Sequence, residues 1–289
     1  MSYRIFTDAT SDLPLHIAEK LHVTVLPMGF LMEGKEYQYI PGRSEMPIET
    51  FFAKMRAGVE VSTVQINTFQ FINAFKPVLE AGDDVVYIGF SSGLSGTIGS
   101  AQAAVAELME EFPERKVACI DSLCASLGEG LFVTYAARQQ DRLSFDEMVA
   151  WCEANKLRQI HWFTVDDLVY LKRGGRVSGA TAAIATVLQI KPVMHVDDEG
   201  HLVAVSKVQG RKKSLRALVD NMESTVDLSQ TDVVYIGHCD CLEDAQYVES
   251  LVREKFPSLS EIVVDVIGTS IGAHSGPGTV ALFFFGSPR

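Results

Sequence analysis

No run of about eighteen uncharged apolar residues occurs anywhere in the sequence, so no membrane-spanning helix and no stable membrane insertion are expected. The first residues lack a basic stretch followed by a long apolar run, so no signal peptide is expected either. Cysteine is scarce and unpatterned: Cys119, Cys124, Cys152, Cys239 and Cys241 are odd in number, and Cys239-Asp240-Cys241 fits neither a zinc knuckle nor a CxxC redox pair. Reduced thiols in a cytoplasmic protein are the expectation. Basic charge is also short. Against 37 Asp and Glu stand 25 Lys and Arg, a net charge of −12, whereas phosphate recognition in a nucleic acid needs a basic face. There is no HExxH, no dense Asp/Glu/His set at metal-ligand spacing and no GxGxxG after a strand, so neither a metal nor a cofactor is expected.

What is present reads as a folded globular chain. Its 289 residues suffice for two domains, and 47% are hydrophobic against 21% charged. Short apolar runs at 3–7, 23–26, 84–89 and 116–120 predict strands, alternating with helices at 14–21, 97–112 and 129–142. Asp12-Leu13-Pro14 supplies an N-cap and a first-turn proline for the first helix. Ser144 with Glu147 three residues on forms a capping box for a helix at 144–155. This alternation predicts a mostly parallel sheet with helices on both faces.

Beyond residue 156 the texture changes. Strands are predicted at 160–165, 191–196 and 201–208, the last two joined by the hairpin signal Asp197-Asp198-Glu199-Gly200. Helices at 214–222 and 243–256 alternate with strands at 232–238, 261–266 and 279–285. The expected architecture is α/β in two domains: a three-layer α/β/α unit at 1–156 and an α+β unit with a mixed sheet at 157–289. Part of 58–82 is expected against the second unit. No linker, repeat or low-complexity segment separates them.

Four loops gather chemistry. Thr7-Asp8-Ala9-Thr10-Ser11-Asp12 follows the first strand, at the carboxyl edge where α/β sheets bind ligands, or else serves as a cluster of helix caps. Gly89-Phe90-Ser91-Ser92-Gly93-Leu94-Ser95-Gly96-Thr97 leads from strand to helix with hydroxyls and free N–H groups suited to an anion. It is neither a Walker A loop nor a GxSxG elbow. Between residues 267 and 278 four glycines surround His274 and predict a tight loop whose histidine could meet an anion. Lys172-Arg173-Gly174-Gly175-Arg176 and Arg211-Lys212-Lys213 concentrate positive charge, as a solvated surface or as a docking patch.

Together these motifs resemble the DegV family of fatty-acid-binding proteins. The matching stretches are Thr7 to Pro14, Ser91 to Thr97, Asp121-Ser122, Leu171 to Arg176, Ile190-Lys191-Pro192 and Gly272 to Gly278, in the family's order. The resemblance implies a long-chain fatty acid in a tunnel between two domains, and a carrier rather than an enzyme. It places the carboxylate on Thr63, with Ser62 as the alternative because Val64 stands where the family has serine, and on Ser95 and His274. Ser92, Gly93, Gly96, Thr97, Thr269 and Gly272 would surround the headgroup. It also implies a possible partner, a fatty acid kinase acting for phospholipid synthesis, docked through Arg173, Arg176 and Arg211. Candidate tail contacts are Phe163, Phe71, Ile98, Ile184 and Leu188, each otherwise a core residue. Two other readings remain: a Ser-dependent acyl hydrolase using Ser95 and His274, and a nucleotide or sugar-phosphate binder built on the Gly/Ser loops.

Overall fold

The computed structural model describes residues 2–177 and 189–289. In chain order the first half runs β1 (Tyr3–Asp8), α1 (Leu15–Lys20), β2 (Thr24–Leu26), β3 (Met28–Met32), β4 (Lys35–Ile40), β5 (Arg43–Ser44) and α2 (Ile48–Arg56). It continues with β6 (Val61–Val64), α3 (Thr68–Glu80), β7 (Asp84–Gly89), α4 (Thr97–Glu111), β8 (Val117–Asp121), α5 (Leu127–Ala137) and α6 (Phe145–Asn155). The second half runs β9 (Gln159–Thr164), α7 (Val169–Gly174), β10 (Ile190–Val196), β11 (Leu202–Gln209) and α8 (Arg211–Thr225). It closes with β12 (Val233–His238), α9 (Leu242–Lys255), β13 (Glu261–Val266), α10 (Thr269–Ser275) and β14 (Val280–Phe285).

A parallel sheet, β2-β1-β7-β8, forms the middle of an α/β/α sandwich. Strand alternation divides its side chains. Phe6, Val85 and Tyr87 meet α3 and α4 through Phe71, Phe75 and Ile98, while Ile5, Val86 and Ile88 meet α5 and α6 through Phe132, Val133 and Met148. A mixed sheet, β11-β10-β9-β14-β12-β13, is antiparallel except between β12 and β13. Its outer face carries α8 and α9 on Ile160, Trp162, Val234, Ile236 and Leu282. The predicted hairpin is β10 and β11, and the predicted capping box of α6 forms with both bonds present. All five cysteines are free thiols, and no described helix is long and apolar enough to cross a membrane.

Three features differ from the sequence expectation. A small antiparallel sheet, β5-β4-β3-β6, occupies residues that carried no assigned strand. Asp12 does not cap α1, whose N-cap is Pro14 without a side-chain bond; Asp12 sits at φ 47° with its carboxylate turned inward. The glycine-rich segment at 267–278 is largely the short helix α10, with the positive backbone angles confined to Gly276 and Gly278.

The helix α5 lies between the two larger sheets. Every residue of it except Tyr135 is buried, as a helix that is apolar all round requires. Leu127 and Leu131 join the core shared with Val233, Tyr235 and Phe283 of the mixed sheet, while Phe132 and Val133 face the parallel one. Two glycines permit this fit. A Cβ at Gly128 would collide with the His161 ring, and one at Gly130 would lie 2.5 Å from the Ser11 carbonyl oxygen. Overpacking of this kind costs about 1–3 kcal/mol, so Gly128→Ala and Gly130→Ala are each expected to lower the unfolding free energy by about that amount. An unchanged urea midpoint for both variants would contradict the close packing.

Candidate functional site

A cavity of about 980 Å³, counting its open mouth, lies among β3, β6, the 90–95 loop, the start of α5, the inner face of β9 and β14, and α10. Its apolar wall includes Met28, Phe90, Leu94, Phe163, Leu202, Ile271 and Phe283. Polar groups interrupt it in two places: Thr63, Gln65, Ser95, Arg176 and His274, and separately Thr10, Ser126, His161 and Ser270.

The first group comes from four distant parts of the chain. On β6, Thr63 pairs with buried Phe30 and therefore faces inward, whereas Ser62 pairs with exposed Leu31. Strand alternation thus turns Ser62 to a surface groove with Glu33 and Arg173, away from the cavity. Thr63 Oγ1 is 2.9 Å from His274 Nε2, a bond that ties β6 to α10 across 211 positions of sequence. Ser95 Oγ lies 2.9 Å from Thr97 Oγ1 and accepts from the Thr97 N–H at 3.3 Å. Arg176 donates through Nε to the Leu94 carbonyl at 3.2 Å and also bonds the Gly174 carbonyl. Gly174 itself is needed there, because a Cβ would strike His274 Nδ1.

Burial, assisted by the nearby Arg176 charge, holds the His274 pKa down at about 4, so the ring is neutral at neutral pH. Positive charge at this end of the cavity therefore comes from Arg176. Neutral donors and one guanidinium suit a single carboxylate.

The surrounding candidates divide. Gly93 fits against the Glu199 and Gly200 backbone at the tip of the β10–β11 hairpin, and Ser91 Oγ donates to the Gly200 carbonyl at 2.9 Å. Gly96 lies against Gln65, and Thr97 is buried behind Ser95. Ser92 is exposed, its N–H bonded to Asp121. Thr269 is buried off the cavity wall, and Gly272 makes room for Phe52. Of the tail candidates Phe163 is on the wall, while Phe71 and Ile98 are core residues of the parallel sheet. Ile184 and Leu188 lie outside the described residues.

The three arginines also separate. Arg173 is half exposed, 3.9 Å from Glu60 and over the Tyr170 ring. Arg176 lines the cavity. Arg211 is engaged: Nε meets Asp244 at 2.8 Å and Nη2 donates to the Gly278 carbonyl at 2.6 Å, stapling α8 to α9.

The hydrolase arrangement is not formed. Ser95 and His274 each bond to a threonine, and among the described residues no carboxylate orients the histidine.

Beneath the second polar patch lies a cluster the sequence reading did not foresee. Thr10 Oγ1 bonds Asp8 and, at 3.0 Å, Glu129 Oε2; Thr7 donates to Glu129 at 3.1 Å; and the Tyr87 hydroxyl bonds Asp8. Asp12 accepts from Ser126 Oγ at 2.6 Å and from the Gly268 N–H at 2.9 Å. Burial raises the pKa of all three acids against these bonds, Asp12 to about 8. The signal for it was Glu129 inside an otherwise apolar helix. His161 is likewise on the wall, its Nε2 accepting from the Ala125 N–H at 3.2 Å with Nδ1 3.1 Å from the Gln159 carbonyl oxygen.

Between the unfolded carboxyl value near 4 and the folded value of about 8, native Asp12 keeps a proton that the unfolded chain has lost. Its contribution to stability therefore falls as pH rises through that window. Asp12→Asn is expected to flatten the loss of urea midpoint between about pH 6 and about pH 8.5. Parallel slopes for variant and native protein would contradict a protonated Asp12.

Comparison with known proteins gives a consistent result. The model described as "Uncharacterised protein, DegV family" matches residues 2–287. The chain is similar to the DegV domain-containing protein CPE0026 of Clostridium perfringens, 41% identical over 99% of this chain and 98% of that one. It is 35% identical to YteA of Lactococcus lactis over 98% and 97% of the two chains. Among solved structures, a DegV family protein from Thermus thermophilus described for its fatty acid binding superposes with TM-score 0.88 at 29% identity, covering 99% and 100% of the chains. DegV of Bacillus subtilis, described as a fatty acid binding protein, superposes at 0.84 with 25% identity, covering 99% and 100%.

Proposed function

This chain belongs to the DegV family, and from that premise we propose that it binds one long-chain fatty acid between an N-terminal unit, 1–156, and a C-terminal unit, 157–289. The carboxylate sits at Thr63, Ser95 and His274, with Arg176 as its counter-charge, and the tail runs along Phe163 and its apolar neighbours. One observation carries this reading: an apolar cavity on whose wall Thr63, Ser95 and a neutral His274 stand with a single guanidinium, that of Arg176. Each methylene moved from water into such a wall contributes about 0.8 kcal/mol, so the tail supplies affinity and the cradle supplies orientation. Fatty acid binding by the Thermus and Bacillus relatives supports the same reading.

Titration of delipidated protein with stearate tests it. Native protein is expected to saturate at one equivalent, and Thr63→Ala and Ser95→Ala are each expected to weaken binding by about tenfold, the worth of a hydrogen bond to a charged group. Absence of saturable uptake, or an unaltered affinity in the double variant, would contradict the assignment.

The finer part of the proposal is that the loaded protein presents its carboxylate to a separate fatty acid kinase. Support comes from Arg173, a half-exposed guanidinium on α7, the helix that carries Gly174 against His274. Arg173→Glu is expected to slow acyl phosphorylation by such a kinase while leaving stearate affinity intact. Equal phosphorylation rates would remove Arg173 from the docking surface.

A further inference from the structure

One group on the cavity wall is not used by the binding of a plain saturated acid. Ser270 lies on α10, is 4% exposed, and its Oγ has no hydrogen-bond partner among the described residues. Other buried side-chain atoms also lack partners (on Gln159, Thr164, Arg211 and Thr269), but none of those residues borders the cavity. The remaining wall hydroxyls near it are engaged: Thr10 with Asp8 and Glu129, Ser126 with Asp12, Ser275 with Cys239, and Thr279 with backbone carbonyls.

Ser270 precedes His274 by four residues, so both project from the same face of the helix, about 6 Å apart along its axis. A chain whose carboxylate is held beside His274 and whose tail follows this face of α10 passes Ser270 part of the way along its length. Methylenes at that level would leave a buried hydroxyl unsatisfied, which carries the full desolvation penalty of the group. A hydroxyl on the chain would meet it as both donor and acceptor. A cavity wall built to hydrogen-bond an oxygen discriminates against ligands that lack it, whereas an apolar wall discriminates weakly.

Resting on the fatty-acid reading above, we infer that the ligand class of this cavity is the acyl chain bearing an internal hydroxyl, and that Ser270 is the residue that selects it. The test compares stearate with a set of monohydroxystearates differing in hydroxyl position, each titrated into native protein and Ser270→Ala. In native protein one member of the set binds about three- to tenfold tighter than stearate. In Ser270→Ala that ratio falls to about one, and because the ratio is taken within each protein, any general weakening cancels. The inference is overturned if no hydroxy acid exceeds stearate in native protein, as when water fills the site, or if the preference survives in Ser270→Ala. Saturable stearate binding without such a preference overturns this inference alone. Failure of native protein to bind any acid of the set overturns the fatty-acid reading and this one with it.

Discussion

The burial of α5 between two sheets is the constraint on which the rest of the molecule depends. A helix that exposes no face to solvent must find close-packed partners on both sides, and Gly128 and Gly130 bring His161 and the Ser11 carbonyl within reach of its backbone. That approach fixes where β9 stands relative to the 9–11 turn. It also fixes the floor of the cavity, because Ser126 and Ala125 at the head of α5 border it directly. The cost appears as Glu129, a carboxyl carried into the core by the helix and satisfied there by Thr7 and Thr10. Burial raises the pKa of that acid and of neighbouring Asp12 above the usual carboxyl range, against the hydrogen bonds that Thr7, Thr10 and Ser126 donate.

The small sheet has a different role. It packs on α10, where Thr63 of β6 bonds His274, while Phe52 of the neighbouring α2 fills the space left by Gly272. Thr63, Ser95 and His274 are therefore brought to one cavity by elements that do not share a sheet. Its electrostatics follow from burial: a histidine held neutral provides shape and one hydrogen bond, while the charge resides on Arg176 alone.

Much of this was legible in the residues. The βα alternation, the hairpin at Asp197 to Gly200 and the capping box at Ser144 each have a local cause, and each appears close to where that cause places it. Thr63, Ser95 and His274 were identified by resemblance, and they line one cavity. What escaped the reading was non-local. The short strands β3 to β6 hold together by pairing with one another, and Lys35–Ile40 mixes charged, polar and aromatic residues without a clear period. Arg176 and Arg211 look alike in sequence as members of basic runs, yet one faces the cavity and the other is clamped by Asp244. Asp12 before a proline reads as a cap, and its tertiary bonds to Ser126 and Gly268 redirect it. In each case a distant partner outweighed the local pattern.

The central claim is that the cavity is occupied by an acyl chain whose carboxylate meets the Thr63, Ser95 and His274 cradle. Organic extraction of protein purified without added lipid, followed by mass spectrometry of the extract, tests it most directly. The account predicts close to one equivalent of a fatty acid per chain, reduced in a Thr63→Ala, Ser95→Ala protein. An extract free of acyl species, from protein that also takes up none on incubation, would contradict it.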